Sequence, residues 1–521
     1  MKGMENRLAT VGSKGLIKRH ELVRALIQSL YSLGYEKSAA SLESESGITY
    51  KTNQHSLLEE QVLDGNWEGC ADTLNAIYEL TEDKRSSAIF LILKQCLVEY
   101  LSCGDDVSAL VFLRKQASSP KVEKEKVRTL THLFFCSNSM GSLTVNDPAL
   151  LETRHSLLKD LEKLLPPEIA LPERRLQHLI ESAVTSQVDK CLYHNSSEIA
   201  SLYYDHCCAG DQIPSETIQI LTEHRNEVWF VQFSNNGDFL ASSSNDCTAM
   251  IWTVLEDDTV THKHTLVGHQ NPVSFLSWSP DDVMVLTCGN PDVLKLWDVE
   301  TGTCKRTFGD PSFLVSSCAW FPCSKRLVSG SSDPEKGICM WDCDGNEIKT
   351  WRGARAPKVV DVAVTPDGQR LISVLSDKEI RILDIETANE HVISEDHLIT
   401  SLSVSADGES FIVSLNSQEI HLWNVAPNQT SPRKYLGHKQ HEFVIRSCLG
   451  GYNGSFIASG SEDSQVYIWN KRNPLPLKVL YGHKRTVNCV SWNPKRHRML
   501  ASASDDQTVR IWVPYRGRHV I

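Results

Sequence analysis

The first half of the chain, up to about residue 210, has apolar residues at every third or fourth position, a pattern typical of amphipathic α-helices. One apolar stripe consists of four leucines: Leu22, Leu26, Leu30 and Leu33. Gly34 predicts a turn after this helix, and a second short helix should end near Gly47. Since two such short helices bury little apolar surface by themselves, we expect the stripe to pack against a second copy of the same module.

From about residue 216 the pattern changes to short runs of alternating apolar and polar residues, which predict β-strands. Turn sequences such as SPDD, TPDG, SADG and SNNG separate the runs. The whole pattern also repeats, because a large apolar residue ends each copy at intervals of 40 to 46 residues. These landmarks are Trp252, Trp297, Trp341, Leu383, Trp423, Trp469 and Trp512.

Tandem copies of this length, with GH near the start and W-D or W-N near the end, resemble the WD-repeat family of β-propellers. The resemblance implies four strands per copy and a seven-bladed propeller over residues 216–515. An open ring would leave exposed strand edges. We therefore expect residues 217–221, which precede the first full repeat, to supply the outer strand of the last blade and close the ring.

Three copies contain a histidine, a serine and an aspartate, the residue types of a hydrolase triad. In WD-repeat proteins these residues and the terminal tryptophan form a structural hydrogen-bond chain. A catalytic triad occurs once in a protein, whereas this set recurs in tandem, so the resemblance implies internal braces and no active site. The three braces are His224, Ser242, Asp246 and Trp252; His438, Ser459, Asp463 and Trp469; and His483, Ser502, Asp506 and Trp512.

Two of the middle blades lack part of this set. The blade ending at Leu383 has no GH histidine and no terminal tryptophan, and the blade ending at Trp423 has Ser417 where an aspartate is expected. We expect the middle blades to be held more by packing and less by a polar chain.

The composition fits a soluble protein with sizeable cores, since 41% of residues are hydrophobic and 23% are charged. A net charge of -12 disfavours nucleic acid as a partner. The chain shows neither a signal-peptide pattern nor an apolar run of the roughly 18 residues that a membrane span needs, so we expect no membrane partner. The 16 cysteines include no CxxC pair or Cys/His ligand array, so we expect free thiols in a reducing compartment and neither a metal nor a cofactor.

Two stretches of the helical half resemble known motifs. Residues 15–48 resemble the LisH dimerisation motif, and residues 51–112, which include Gly65, Trp67 and Glu99, resemble the CTLH motif. Residues 113–210 would then be CRA-type helices, followed by a linker over residues 211–215. Residues 1–14 and 516–521 are expected to be a flexible N-terminus and a tail.

LisH, CTLH and CRA-type helices followed by a propeller resemble the WD repeat-containing protein 26 family, the WD-repeat subunits of GID/CTLH-type ubiquitin ligases. The resemblance implies an α plus all-β multidomain fold, with an all-helical region before a seven-bladed propeller. It further implies a non-catalytic scaffold that forms homo-oligomers and binds other LisH–CTLH subunits, among them a separate RING subunit. Protein substrates or regulators would bind the propeller, in the cytoplasm and the nucleus.

Propellers commonly bind partners on the face where the turns between blades converge, on the first strand of a blade and just before its turn aspartate. By this analogy the partner face would contain Glu227, Trp229, Asn245, Pro272, Ser274, Lys358, Thr486, Asn488 and Asp505. Trp229 is the best anchor candidate, because aromatic residues dominate binding hot spots.

Two other functions remain open from the sequence. Residues 457–472 resemble the WD box by which some WD-repeat proteins join cullin-RING ligases as substrate receptors, with Arg472 as the basic residue of that box. A signalling scaffold similar to a G-protein β subunit is the other alternative, although the chain has no heptad run of the kind that forms a coiled coil. The LisH–CTLH half favours the GID/CTLH-type assignment. No P-loop, GxSxG or metal motif indicates an enzyme.

Overall fold

The computed structural model describes residues 10–12, 14–117, 124–136, 148–198, 200–289, 293–308, 315–331, 333, 337–351, 358–426 and 431–515. The chain divides into two compact units, Met1–Thr185 and Ser186–Ile521. Most of the predicted flexible N-terminus and the predicted tail lie outside the described residues. Among the helices that are described, none has the length and apolar character needed to cross a bilayer.

In its described residues, the first unit is helical apart from a two-stranded ladder of β1 (Thr10–Val11) with β2 (Ile17–Lys18). The described residues contain nine helices, and the last helix runs across the boundary between the units. They are α1 (Arg19–Ser32), α2 (Glu36–Ser46), α3 (Asn53–Asp64), α4 (Trp67–Ala76), α5 (Glu82–Ser102), α6 (Asp106–Ala117), α7 (Lys124–Cys136), α8 (Pro148–Leu164) and α9 (Arg175–Lys190).

The first two helices have the predicted ends. Helix α1 stops just before Leu33, and Gly34 follows with a φ of 84°. Helix α2 ends at Gly47, whose φ of 68° lies in the left-handed region that favours glycine. The turn at Gly34 and the stop at Gly47 are therefore confirmed.

Helices α3, α4, α5 and α8 share one apolar core, with Leu58, Leu74, Ile92 and Leu161 almost fully buried. A buried ion pair crosses the same helices. The Arg154 guanidinium donates to Glu99 from Nε and Nη2 at 2.8 and 2.9 Å, and from Nη1 to the Leu63 carbonyl oxygen at 2.6 Å. One arginine therefore ties α8 to α5 and to the carboxyl end of α3.

The second unit contains the predicted propeller. In its described residues, seven antiparallel sheets of four strands each form the blades. Blade 1 is β4 (Val228–Phe233), β5 (Phe239–Ser244), β6 (Thr248–Val254) and β7 (Val260–Val267); blade 2 is β8 (Val273–Trp278), β9 (Met284–Gly289), β10 (Leu294–Asp298) and β11 (Cys304–Phe308); blade 3 is β12 (Val315–Trp320), β13 (Arg326–Ser331), β14 (Ile338–Asp342) and β15 (Glu347–Trp351).

The remaining blades have the same order, with the first-listed strand innermost. Blade 4 is β16 (Val359–Val364), β17 (Arg370–Leu375), β18 (Glu379–Asp384) and β19 (Glu390–Ser394); blade 5 is β20 (Ile399–Val404), β21 (Ser410–Leu415), β22 (Glu419–Asn424) and β23 (Arg433–Leu436); blade 6 is β24 (Ser447–Gly450), β25 (Phe456–Ser459), β26 (Gln465–Asn470) and β27 (Lys478–Tyr481); blade 7 is β28 (Val487–Trp492), β29 (Leu500–Ser504), β30 (Val509–Val513) and β3 (Glu216–Leu221).

The last blade takes its outer strand from the start of the propeller. Strand β3 pairs antiparallel with β30, with Thr217 opposite Trp512 and Leu221 opposite Val509. The predicted closure of the ring is confirmed. The first strands of successive blades neighbour one another all the way round, including β28 beside β4. They therefore surround a central channel.

The buried ion pair of the helical unit gives a test of what holds this unit together. Replacing Arg154 by Met should destabilise the unit by about 3 kcal/mol, because Glu99 would remain buried without its partner. Amide hydrogen exchange in α3, α5 and α8 should then accelerate by roughly 100-fold.

Lys163→Met is the matched control, since Lys163 lies on the same helix and pairs with Asp160 at the surface. In this control variant, the amide hydrogens of α3, α5 and α8 should exchange at the same rates as in the parent protein. Equal exchange rates in the two variants would contradict the structural role of Arg154.

Candidate partner-binding face of the propeller

Blade 1 contains a complete hydrogen-bond brace. His224 Nδ1 lies 3.0 Å from Asp246 Oδ2, and His224 Nε2 lies 2.8 Å from Ser242 Oγ. The indole N–H of Trp252 donates to the same serine oxygen at 3.0 Å. The chain runs from the turn before β6 to the buried tryptophan at its end, so it links a turn on the face to the blade interior.

Blade 7 contains the same brace with His483, Ser502, Asp506 and Trp512, and its distances are 2.9, 2.7 and 2.7 Å. Asp506 also accepts hydrogen bonds from the Lys484 amide and the Thr508 hydroxyl. Burial by itself would raise the pKa of Asp506, but its hydrogen bonds with His483, Thr508 and the Lys484 amide hold it below its usual range. The ionised carboxylate therefore stabilises the folded blade.

In blade 6 the predicted brace is wrong. Both ring nitrogens of His438 are buried without a hydrogen-bond partner, and burial lowers the pKa of this histidine to about 4. Trp469 donates to the Leu436 carbonyl oxygen, Ser459 to the Gly460 carbonyl oxygen, and Asp463 accepts from Tyr467. All four residues are present, but none of the bonds between them forms.

The physical reason lies in the length of the segment that follows the histidine. His224 and His483 each lie four residues before the first strand of their blade, whereas His438 lies nine residues before β24. The extra residues bend over the turn, where Glu462 Oε1 accepts the amides of His441, Glu442 and Phe443. This longer segment takes the place of the brace in holding the turn.

The sequence interpretation missed two polar chains. In blade 2, Thr287 Oγ1 lies 2.7 Å from His269 Nε2 and accepts the Trp297 indole N–H at 2.7 Å. The signal was available, because threonine replaces serine in a copy that has both GH and the terminal tryptophan. The pattern also required an aspartate six residues before the tryptophan, and this copy has Pro291 at that position.

Blade 5 uses a different residue. Glu395, which follows β19, contacts His421 Nδ1 at 2.8 Å and accepts the Trp423 indole N–H at 2.7 Å. The Glu395 and His421 side chains are each only 5% exposed. The expectation that packing replaces the polar chain is therefore wrong for this blade. Nothing in the repeat pattern predicts a glutamate in this role.

The braces and turns position a cavity of about 450 Å³ at one end of the central channel. Its lining takes at least one residue from the beginning of each blade. Five residues of the predicted partner face line it: Glu227, Trp229, Ser274, Asn488 and Asp505. The other lining residues are Ser316, Val360, Thr400, Phe443, Val444 and Arg446.

The four remaining residues of the predicted face are not part of this lining. Asn245 supports it from behind, because its side-chain amide donates to Glu227 Oε2 at 3.3 Å. The Thr486 carbonyl oxygen accepts the Asp505 amide, so Thr486 supports the turn. Pro272 is half-buried and Lys358 is exposed, and neither lines the cavity.

Three further lining residues, Ser316, Val360 and Thr400, could have been found from the sequence, because each is the second residue of a first strand, as Ser274 is. No signal in the sequence indicates the last three lining residues, which are Phe443, Val444 and Arg446. They lie on the long segment of blade 6, which the repeat spacing does not place.

The cavity combines apolar and acidic groups. Trp229 is half-buried, and Phe443 and Val444 are 47% and 53% exposed. Burial and the neighbouring Glu227 raise the pKa of Asp505, although its hydrogen bond from Asn488 opposes this effect. Two carboxylates therefore face the same opening.

The one arginine of the lining does not neutralise these carboxylates. Arg446 Nη1 lies 2.9 Å from Asp361, which is buried below the cavity, and its guanidinium stacks over Phe275 with 4.6 Å to the ring centroid. Its positive charge is therefore neutralised by Asp361 inside the channel. The opening suits a positively charged or aromatic side chain.

Comparisons with known proteins agree with the two-part fold. Residues 8–52 match the model of the WDR26 Lis-homology domain, and residues 215–253, 260–298, 302–342, 345–384, 430–470 and 475–513 match the WD domain, G-beta repeat. A WD repeat-containing protein WDS homolog from Arabidopsis thaliana is 61% identical, with 98% of each chain covered.

A WD repeat-containing protein 26 homolog from Arabidopsis thaliana is 44% identical, covering 96% of this chain and 86% of its own. The chain belongs to the WD repeat-containing protein 26 family. GID complex subunit 7 of Schizosaccharomyces pombe is 33% identical, covering 94% of this chain and 96% of its own. In this family member the repeat model matches every blade except blade 5, where Glu395 replaces the usual brace.

The difference between blades 6 and 7 predicts different responses to the loss of one aspartate. Asp506→Ala should destabilise the propeller by about 3 kcal/mol, because His483 would stay buried with an unpaired nitrogen. Asp463→Ala is the matched control and should cost much less, since Asp463 accepts no bond from His438. Thermal unfolding followed by tryptophan fluorescence compares the two variants.

The pH dependence gives a second readout of the same comparison. The pKa of Asp506 is lower in the folded protein than in the unfolded chain. Its contribution to the stability of the fold is therefore complete above about pH 4 and is lost as the pH falls further. The difference in stability between the parent protein and Asp506→Ala should therefore become smaller below that pH. A difference in stability that does not change with pH would show that the carboxylate charge is not involved.

Proposed function

We propose that this protein is a non-catalytic scaffold subunit of a GID/CTLH-type ubiquitin ligase, present in the cytoplasm and the nucleus. Its helical half would hold copies of itself and other LisH–CTLH subunits, and its propeller would recruit substrates or regulators. The observation that carries the proposal is the likeness to GID complex subunit 7 of fission yeast, which extends over both the helical half and the propeller.

The surface of α1 supports self-association. Leu26 and Leu33 are 39% and 59% exposed in the single chain, and Leu22 and Leu30 are half-buried. The opposite side of α1 contacts the same chain, because Arg24 and Gln28 donate hydrogen bonds to carbonyl oxygens of residues 167–172. The leucine stripe is thus the free side, and a second copy of the same helix would cover it.

The cavity of the propeller supports recruitment of protein segments. Its apolar rim and its two carboxylates suit a segment that carries a lysine or arginine beside an apolar residue. Separate surfaces for assembly and for recruitment are what a scaffold subunit needs, because a recruited segment then leaves the assembly surface free.

The structure gives less support to a cullin-RING substrate receptor. Arg472, the basic residue of the proposed WD box, contacts Asp189, with 2.6 Å between Nη2 and Oδ1 and a second bond to the Asp189 carbonyl oxygen. An adaptor that contacted Arg472 would have to compete with Asp189 for this side chain, which is 51% exposed. The two ligase assignments are separated by affinity purification of the full chain, which should recover other LisH–CTLH proteins and a RING subunit. Recovery of a cullin adaptor without them would overturn the proposal.

Self-association through α1 can be tested by one substitution. Leu26→Asp should lower the oligomer mass of the full chain measured by light scattering, because association would bury an unpaired carboxylate. Ile348→Asp is the control, since Ile348 is 51% exposed on an outer propeller strand. An unchanged mass for Leu26→Asp would exclude the leucine stripe as the contact.

Recruitment by the cavity is tested separately. Trp229→Ala should reduce binding of propeller partners by about 30-fold, as expected for an aromatic hot spot of about 2 kcal/mol. Sibling subunits should be retained at the parent level. Quantitative mass spectrometry of proteins that purify with the tagged full chain measures both groups.

Tyr481→Ala is the control for this experiment, because Tyr481 is an exposed aromatic residue on the outer strand β27. This variant should recover propeller partners and sibling subunits in the same amounts as the parent protein. Equal losses in the two variants would exclude a specific role for the cavity.

A further inference from the structure

Two cysteines and a histidine meet in the segment that links α9 to the propeller, and a second histidine, His194, lies beside one of the cysteines. Cys208 Sγ lies 3.2 Å from His206 Nε2 and 3.7 Å from His194 Nδ1. The ligand atoms of Cys191, His206 and Cys208 all lie within 4.8 Å of one another. The spacing of cysteines and histidines in the sequence predicts no Cys/His ligand array, and the fold corrects this prediction by bringing a C-x2-H arm and an H-x-C arm together across 11 intervening residues.

We propose that Cys191, His194, His206 and Cys208 form a structural zinc site. Around a tetrahedral zinc ion, with Zn–S near 2.3 Å and Zn–N near 2.0 Å, neighbouring ligand atoms lie about 3.5 Å apart. The two distances from Cys208 fall on either side of that value. Two thiolates and two imidazoles are also the donor set that zinc takes in closed structural sites.

Contacts around the cluster orient its members. The Cys208 amide donates to Cys191 Sγ at 3.3 Å, a bond that stabilises a thiolate. The His206 amide donates to Gln187 Oε1, and Gln187 Nε2 donates to Asp205 at 2.9 Å. The second arm is therefore positioned by the last turns of α9.

The first arm is attached to the propeller. Asn195 is 1% exposed, its Nδ2 donates to the carbonyl oxygens of Gln212 and His497, and its Oδ1 accepts the Tyr452 amide. The His194 ring packs edge-on against Tyr452, 5.7 Å between centroids. A metal bound here would tie both arms to blades 6 and 7.

The segment has few other means of holding its shape. The described residues between 191 and 209 form no helix or strand, and Leu202, Tyr203 and Tyr204 are 68% to 91% exposed. A structural metal supplies the stabilisation that a short irregular segment cannot obtain from a core. A cavity of about 440 Å³ lined by Cys191 and His194 leads to the cluster from solvent.

The test is the zinc content of the full chain, purified under reducing conditions without a polyhistidine tag and dialysed against a mild chelator. We expect about one zinc ion per chain, as for other four-ligand structural sites. Cys191→Ser and Cys208→Ser should lose it. Cys207→Ser is the matched control, because Cys207 is the exposed neighbour outside the ligand set and should leave the zinc content unchanged.

His206→Cys provides a variant that keeps four zinc ligands, so it should retain the metal even if a serine variant folds poorly. Cobalt gives an independent spectroscopic readout, since thiolate-to-cobalt absorption should appear in the parent protein and in Cys207→Ser but not in Cys208→Ser. A parent chain without zinc, or equal zinc content in Cys207→Ser and Cys208→Ser, would overturn the proposal. A Cys191–Cys208 disulfide under the same reducing conditions would overturn it too.

Discussion

The pairing of β3 with β30 is the constraint on which the propeller depends. It joins the start of the repeat region to its end, so that Glu216–Leu221 completes a sheet whose other strands begin only at Val487. Without it, β30 would present an unpaired edge, and blades 1 and 7 would lose their shared contacts. Every residue of the candidate partner face depends on this closure, because the cavity takes its lining from all seven blades.

Within the closed ring, the hydrogen-bond braces serve one purpose by several means. Blades 1 and 7 use histidine, serine, aspartate and tryptophan, blade 2 uses threonine, and blade 5 uses a buried glutamate. In blade 6 the four residues are present but do not bond to one another, and Glu462 holds the turn through backbone amides. What the fold requires is a fixed turn and satisfied polar groups at the blade interior, and different side chains can provide both.

The same variation shapes the candidate partner-binding face. The long segment of blade 6 that displaces the brace also delivers Phe443, Val444 and Arg446 to the cavity. Arg446 then neutralises Asp361 inside the channel, which leaves Glu227 and Asp505 as the unneutralised charges among the lining residues. An irregular repeat in an otherwise regular ring therefore gives the face its shape and its sign of charge.

The sequence by itself determined the number of blades, the closing strand, the first two helices and five lining residues of the cavity. Strand alternation, helical spacing and turn residues predict the helices and the repeated strands, because they act over a few neighbouring positions. The closed ring of seven blades and the five lining residues follow from the resemblance to WD-repeat propellers. Only the tertiary structure decided which braces form, that Glu395 replaces a histidine–serine pair, and that Cys191 and Cys208 approach each other. Such contacts join residues that are distant in the sequence, and an insertion of a few residues is enough to separate or unite them without changing the repeat pattern.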